Sequence, residues 1–346
     1  MKTGDFNYNL PEELIAQFPS EKRDDCKLLH LNRIRRGIDH CRFKDITSFL
    51  KPGDHLVFND TKVLPARILC RKETGGVGEL LFIEKVHDLT WKALVKTAKR
   101  VRKNMSLFAG NSPATEFVVN EPCSDGSWLV SLRGPEDGAT LESTLQKIGT
   151  VPLPPYIKRD AAPLDRCRYQ TIFAKNSGAI ASPTAGLHFT EEIVSQLQAT
   201  GIEMSFVTLH VGIGTFRPVK TSDPRNHAMH QERYHLSEET ASRLTATKRN
   251  GGRVIAVGTT VVRVLEHCSR EHGYPVSSSG STRLLILPGY SFRAIDAMIT
   301  NFHVPQSTLL MLVCAFADKD IILNAYQEAV KLRYRFFSYG DAMMIE

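Results

Sequence analysis

Cysteine is sparse and unpatterned. Seven cysteines (26, 41, 70, 123, 167, 268, 314) are scattered over 346 residues with no CxxC pair, which argues against structural zinc and a disulfide framework and fits reduced thiols. No apolar run reaches the length of a membrane span. The opening MKTGDFNYNLPEEL lacks the basic start and apolar stretch of a signal peptide, so a cytoplasmic protein is expected. There is no internal repeat and no low-complexity tract. HExxH, GxSxG, GxGxxG and Walker spacing are all missing, so zincin, serine-elbow, dinucleotide and NTP readings lack support.

What is present is an ordinary globular composition, 42% hydrophobic and 23% charged, on a chain long enough for two or three domains. The net charge of +7 permits a polyanionic partner. KTAKRVRKN (96–104) packs five cations into nine residues, and RIRR (33–36) and KLRYR (331–335) add smaller clusters. The plain reading of each is a solvated surface; the sharper one is contact with a polyanion.

Hydrophobic periodicity divides the chain. PEELIAQFP reads as a short helix with Pro11 in its first turn, and HLVFND as a strand. From about 64 to 135, five short alternating runs (PARILCRK, GELLFIEKV, TWKALVKTA, TEFVVNE, GSWLVSLRG) are punctuated by Gly, Pro, Asn or Asp, which predicts a small antiparallel barrel or sandwich. The helix TLESTLQKIG closes it. After VPLPPYIKRD, strands and helices alternate. Thr190 caps a helix ended by Gly201, IEMSFVTLHV is a strand, and Ser237 starts a helix that stops at Gly251. RVIAVG is a buried strand and TTVVRVLEHCS a helix; TRLLILP, STLLMLVCAFA, DIILNAYQEAV and a last strand near YRFFSYG follow. The expected fold is an α/β body, a mixed sheet with flanking helices formed by residues 1–62 and 150–346, with an inserted antiparallel β-barrel at 63–149.

Five loops carry more polar groups than connectors need. FNDTKVLPAR puts Asn59, Asp60 and Thr61 just after a strand, where open α/β sheets bind ligands; a turn using Asn and Asp is the plainer account. The segment 159–190 holds Arg159, Asp165, Arg168, Tyr169 and Gln170, then Thr184, Gly186 and His188 in a small-residue loop before a helix. TLHVGIGTFRPV (208–219) brings His210, Gly212, Gly214, Thr215 and Arg217 to one turn. AVGTTVVR aims Gly258, Thr259 and Thr260 from a strand end into a helix start, and ITNFHVPQST offers Asn301 and His303. In HAMHQE, the residues His227, His230 and Glu232 resemble metal ligands, but hydrogen bonding or acid–base work by His230 and Glu232 fits the spacing better. Phe336, Phe337 and Tyr339 beside Arg335 read as a stacking platform, because consecutive aromatics cannot all point inward.

Taken in order, LVFNDTKVLPAR, VPLPPYI, RYQTIFA, SPTAGLHFT, TLHVGIGTFRPV, MHQERY, RVIAVGTTVVR, PGYSF, ITNFHVPQSTLLMLVCAFA and YRFFSYGDAM resemble the signature blocks of the S-adenosylmethionine:tRNA ribosyltransferase-isomerase family of queuosine biosynthesis, from about residue 6 to the C-terminus. The chain departs from that pattern at Cys26 and Lys27 (more often Ser-Arg), Arg283 (usually Asp) and Gln306 (usually Lys). The resemblance implies an α/β body with an inserted barrel. It also implies a reaction: the ribosyl part of S-adenosylmethionine moves onto 7-aminomethyl-7-deazaguanine at the tRNA wobble position and rearranges to epoxyqueuosine, releasing adenine and methionine. S-adenosylmethionine is then a co-substrate and no metal or redox cofactor is implied. The expected partner is a tRNA with a GUN anticodon, and the expected state is a monomer away from membranes.

That chemistry needs a base for C5′, acidified by the neighbouring sulfonium, and a donor to the departing adenine. His210, His188 and His303 are the candidates, with His230, Glu232 and Asp60 supporting. Candidate substrate contacts are Asn59, Thr61, Arg67, Tyr169, Gln170, Thr184, Gly186, Gly212, Gly214, Thr215, Gly258, Thr259, Thr260, Asn301 and Tyr339. Arg168, Arg217 and Arg335 are assigned to phosphate or carboxylate. Lys96, Lys99, Arg100, Arg102 and Lys103 are assigned to anticodon-stem phosphates. The competing readings are a methyltransferase using the same donor, which would not release free adenine, and a non-catalytic RNA-binding module.

Overall fold

The computed structural model describes residues 1–135, 138–212, 214 and 219–346. A nine-stranded mixed sheet forms the body. Its centre is a block of four adjacent parallel strands: Glu203–Leu209, His55–Asn59, Val254–Val257 and Ala297–Asn301. These strands are apolar on both sides, as buried parallel strands must be, and the two-residue side-chain period sorts them between two cores. Val57, Val254, Ala256 and Met298 face the helices Glu238–Arg249, Thr259–Cys268, Thr308–Ala317 and Lys319–Lys331. Leu56, Phe58, Ile255, Val257 and Ile299 face the helix Glu191–Ala199 and the 3₁₀ turn Phe43–Phe49.

Local signals set the helix ends. Thr190, Ser237 and Ser307 each accept a hydrogen bond from a first-turn N–H, and Gly201 and Gly251 take positive φ where two helices stop.

The barrel is closed and antiparallel, with six strands rather than five: Arg67–Lys72, Val77–Lys85, Thr90–Thr97, Met105–Ala109, Ser112–Pro122 and Trp128–Arg133. The strand that periodicity does not reveal, Met105–Ala109, is five residues long and buries Leu107 and Ala109 in the barrel core, with Met105 packed at its edge. Helix Leu141–Ile148 plugs the barrel with Leu141 and Leu145.

Three other expectations shift. PEELIAQFP is a single 3₁₀ turn, Glu12–Leu14, after which Ile15 runs extended and pairs with Phe336. The strand expected at TRLLILP lies earlier, at Ser278–Thr282; Leu284 and Ile286 instead pack into the helix-side core. The last strand begins at Ala342, because Phe337 adopts φ 71° and the Gly340 N–H closes a turn onto its carbonyl.

Candidate active site

Each of the four central strands delivers one of the polar loops at its C-terminal end: Asp60–Thr61, His210–Gly212, Gly258–Thr260 and Phe302–His303. This is where an open parallel sheet presents ligands. A cavity of about 650 Å³ opens there, lined by Thr184, Gly258, Thr259, Thr260, Asn301 and His303 together with Tyr156, Phe302 and Phe337.

Among the described residues, no carboxylate, lysine or arginine lines this cavity. Two buried polar atoms on its walls, Ser182 Oγ and Asn301 Oδ1, have no partner among the described residues. Buried polar groups are normally satisfied, so these are acceptors or donors held ready for a ligand. Asn301 Nδ2 donates to the Phe337 carbonyl at 3.2 Å and faces His188 Nε2 at 3.2 Å. With Nε2 accepting, His188 Nδ1 carries the proton and faces Cys26 Sγ at 3.1 Å. Burial lowers His188 to about 4 and His303 to about 3, so both imidazoles are neutral near pH 7. His303 Nε2 meets Thr300 Oγ1 at 2.9 Å, and its main chain is clamped by the hydroxyls of Tyr8 and Tyr326.

His210 stands in a different, wider cleft, about 760 Å³, where barrel and body meet. Trp91, Glu84, Lys85 and Glu142 come from the barrel side, and Thr208, Arg233 and His235 from the body. Thr61 Oγ1 lies 2.8 Å from His210 Nδ1, and burial followed by the Arg233 charge lowers the imidazole pKa. Asp60 accepts from Thr208 Oγ1 at 2.6 Å and from Asn176 Nδ2 at 2.9 Å, beside the same cleft.

Several sequence candidates are occupied by the fold. Asn59 donates to the Leu209 carbonyl and Thr260 Oγ1 and accepts from the Thr61 and Leu209 N–H groups, which uses its whole amide. Gln170 bonds both main-chain groups of Val63, fixing the strand that enters the barrel. Arg67 pairs with Glu79 at 3.0 Å. Gly186 is required by Thr171, whose methyl would lie 2.9 Å from a Cβ, and Gly214 by the His230 ring, which would lie 2.1 Å away.

Glu232 is turned to Arg263 in a buried ion pair and accepts from the Gly212 N–H at 3.1 Å. The aromatic platform is not exposed: Phe336, Phe337 and Tyr339 are all buried, because the left-handed Phe337 reverses the chain. Phe336 enters the main core, Phe337 packs on Tyr156 at 4.7 Å, and Tyr339 donates to Asp165 beside the buried ring of Tyr169. Arg168 and His188 line a third, smaller hollow, and Arg335 donates to the Phe18 carbonyl. Lys96, Lys99, Arg100, Arg102 and Lys103 are all exposed on the barrel, and Lys103 pairs with Glu121. Thr215 and Arg217 lie outside the described residues. No group of three or more metal-ligand side chains, and no helix long and apolar enough to cross a membrane, occurs among the described residues.

The family model described as "Queuosine biosynthesis protein" matches residues 3–345. The chain belongs to the queuosine biosynthesis family. Relatives of this family named S-adenosylmethionine:tRNA ribosyltransferase-isomerase include one from Trichlorobacter lovleyi, 46% identical over 345 residues, and one from Clostridioides difficile, 48% identical over 348 residues; both alignments cover 100% of each chain. The crystal structure of an S-adenosylmethionine tRNA ribosyltransferase from Thermotoga maritima is similar with a TM-score of 0.57 at 37% identity, covering 99% of this chain and 100% of that one.

Against the queuosine-family pattern, Gln306 has φ 58° and does not line the cavity, although its neighbours Val304 and Ser307 do. Arg283 bonds Gln231. Three residues with structural claims on these sites, Ser182, Gly178 and Arg263, are not singled out by sequence. Arg263 left a trace, as a lone cation in the apolar run TTVVRVL.

Proposed function

We infer that this chain transfers and isomerises the ribosyl group of S-adenosylmethionine onto 7-aminomethyl-7-deazaguanine at the wobble position of tRNA, forming epoxyqueuosine and releasing adenine and methionine. The observation that carries this reading is the cavity built from separated loops of the family, with Val211, Gly258–Thr260 and Asn301–His303 coming from the ends of three strands of one parallel block. A methyltransferase or a binding-only module gives no account of full-length similarity to ribosyltransferase-isomerases.

Among the described residues the cavity carries no fixed positive charge, which suits a sulfonium donor, and its aromatic walls, Tyr156, Phe302 and Phe337, attract a cation without neutralising it. Thr184, Gly258, Thr259 and Thr260 hold the adenosyl part, and Asn301 Oδ1 and Ser182 Oγ supply polar recognition. His303, kept neutral by burial, is the proton-handling group nearest this donor. The sulfonium makes C5′ acidic, and the neutral imidazole is the form that can accept its proton.

The junction cleft receives the RNA side of the reaction, with His210 and Arg233 on its body wall. A loop nucleotide is extruded at low cost because it is unpaired. Residues 1–62 and 150–346 act as the catalytic body and 63–149 as the RNA-gripping insert, through Lys96, Lys99, Arg100, Arg102 and Lys103. The enzyme acts as a cytoplasmic monomer on tRNAs with a GUN anticodon and needs no prosthetic group.

The test is mass spectrometry of modified tRNA and of small products after incubation with S-adenosylmethionine. Free adenine, methionine and epoxyqueuosine are expected, with loss of one C5′ deuterium from labelled donor. A methylated base with S-adenosylhomocysteine, or binding without turnover, overturns the reading.

A further inference from the structure

The third hollow, about 270 Å³, is walled by Arg23, Arg168, His188, Ser338 and Tyr339 and by no carboxylate. Its two guanidinium groups are fixed by main-chain carbonyls. Arg23 donates to Leu187 at 3.2 Å and Cys167 at 3.0 Å; Arg168 donates to Glu21 at 2.9 Å and Ser20 at 2.6 Å. Carbonyls orient a cation but do not cancel its charge, and Arg168 Nε is buried with no partner among the described residues.

Two buried carboxylates nearby, Asp165 and Asp341, are already engaged. Asp165 is held by both Nη atoms of Arg159 at 2.7 and 2.8 Å and by Tyr339 Oη at 2.6 Å. Asp341 accepts from the N–H groups of Lys27 and Arg335. Burial first, and then the charge of Arg168, lowers the pKa of Arg23. Two adjacent, half-buried, pre-oriented cations that form no ion pair among the described residues are costly unless an anion joins them, and the planar guanidinium matches an oxyanion's geometry.

The hollow adjoins the larger cavity. Ser338 lines both, and His188 on its wall contacts Asn301 on the other. We propose that Arg23 and Arg168 form an oxyanion seat that anchors one of the two substrates beside the neighbouring cavity. This rests on the function inferred above. Two substrate groups share the required chemistry: a phosphodiester flanking the wobble nucleotide and the carboxylate of the donor's methionyl chain.

The experiment measures KM for each substrate, and the salt dependence of tRNA binding, for Arg23→Gln, Arg168→Gln and the charge-keeping Arg23→Lys and Arg168→Lys. Each Gln variant is expected to raise one KM tenfold or more, with part of the affinity recovered by Lys. A rise in the tRNA KM, with a salt slope shallower by about 0.7 to 0.9, identifies the phosphodiester. A rise in the donor KM at unchanged slope identifies the carboxylate. Both KM values within twofold of the parent overturn the seat. Should the Gln variants fail to fold, inorganic phosphate is titrated against the parent enzyme: competition with one substrate supports the seat, and competition with neither overturns it. A parent enzyme that forms no product refutes the inferred function instead.

Discussion

Gly178 and His210 are in face-to-face contact: a Cβ at position 178 would stand 2.8 Å from His210 Nδ1 and 2.9 Å from Cε1. Gly178 also adopts φ 148°, a conformation that side chains rarely take. The strand Asn176–Ala179 pairs with Thr61–Val63, and Thr61 holds the same imidazole, so ring and backbone are positioned together. Gly178→Ala is therefore expected to displace His210. The measurable outcome is a fall in kcat of tenfold or more, with a stability loss on the order of 1–3 kcal/mol from the strained backbone. Normal turnover in a folded Gly178→Ala enzyme would remove His210 from the chemistry.

The Arg263–Glu232 pair is buried on both sides, and Glu232 also receives the Gly212 N–H. Removing Arg263 takes away the buried counter-charge that Glu232 meets in this pair. Arg263→Met is expected to destabilise the protein by about 3–5 kcal/mol in urea denaturation. The double change Arg263→Met with Glu232→Gln is expected to recover a substantial part, because no buried charge then remains. Equal destabilisation in the single and double variants would show that the pair is not what stabilises the loop.

The sequence shows the parallel core well, because continuous apolar runs ending in Asn-Asp, Gly-Thr or Asn-Phe give both the strand and the loop after it. It also shows the caps at Thr190, Ser237 and Ser307, which are local chemistry. It does not show which loops share a cavity. His210, His188 and His303 look equivalent in one dimension, yet they reach three different hollows, because that depends on strand order. Asn59 and Gln170 look like ligand groups until their partners 107 to 201 residues away are known. The Phe336–Tyr339 stretch misleads for a single reason: one left-handed residue, Phe337, turns consecutive aromatics into the interior.

Acid should weaken the fold through its buried histidines. His188 is lowered to about 4 by burial, below its ordinary value near 6.5 in the unfolded chain. Above 6.5 both states are neutral and stability is unaffected. As pH falls from 6.5 towards 4, the unfolded state binds a proton that the folded state refuses, so stability declines by up to about 1.4 kcal/mol per pH unit for each such group. His303, lowered to about 3, acts in the same direction to still lower pH. Urea midpoints should therefore fall across this range, and His188→Gln should show a shallower decline. An identical pH profile in that variant would mean His188 is protonated in the folded state.

Lys96, Lys99, Arg100 and Arg102 are exposed and form no ion pair among the described residues, unlike Lys103 with Glu121. Lys96 lies near the end of the strand Thr90–Thr97 away from Trp91, and none of the four lines the junction cleft or the 650 Å³ cavity. Outside both cavities, these charges are expected to act on the RNA backbone rather than on the donor or the reacting base. Replacing all four with Gln is expected to weaken tRNA binding at low salt by an order of magnitude or more. The log–log salt slope should become shallower by about 0.7 to 0.9 for each phosphate that is no longer neutralised. The KM for S-adenosylmethionine should stay within twofold, because nothing in the 650 Å³ cavity is altered. Nitrocellulose filter binding across a salt series reads the slope directly, and an unchanged slope would show that tRNA approaches the body by another face.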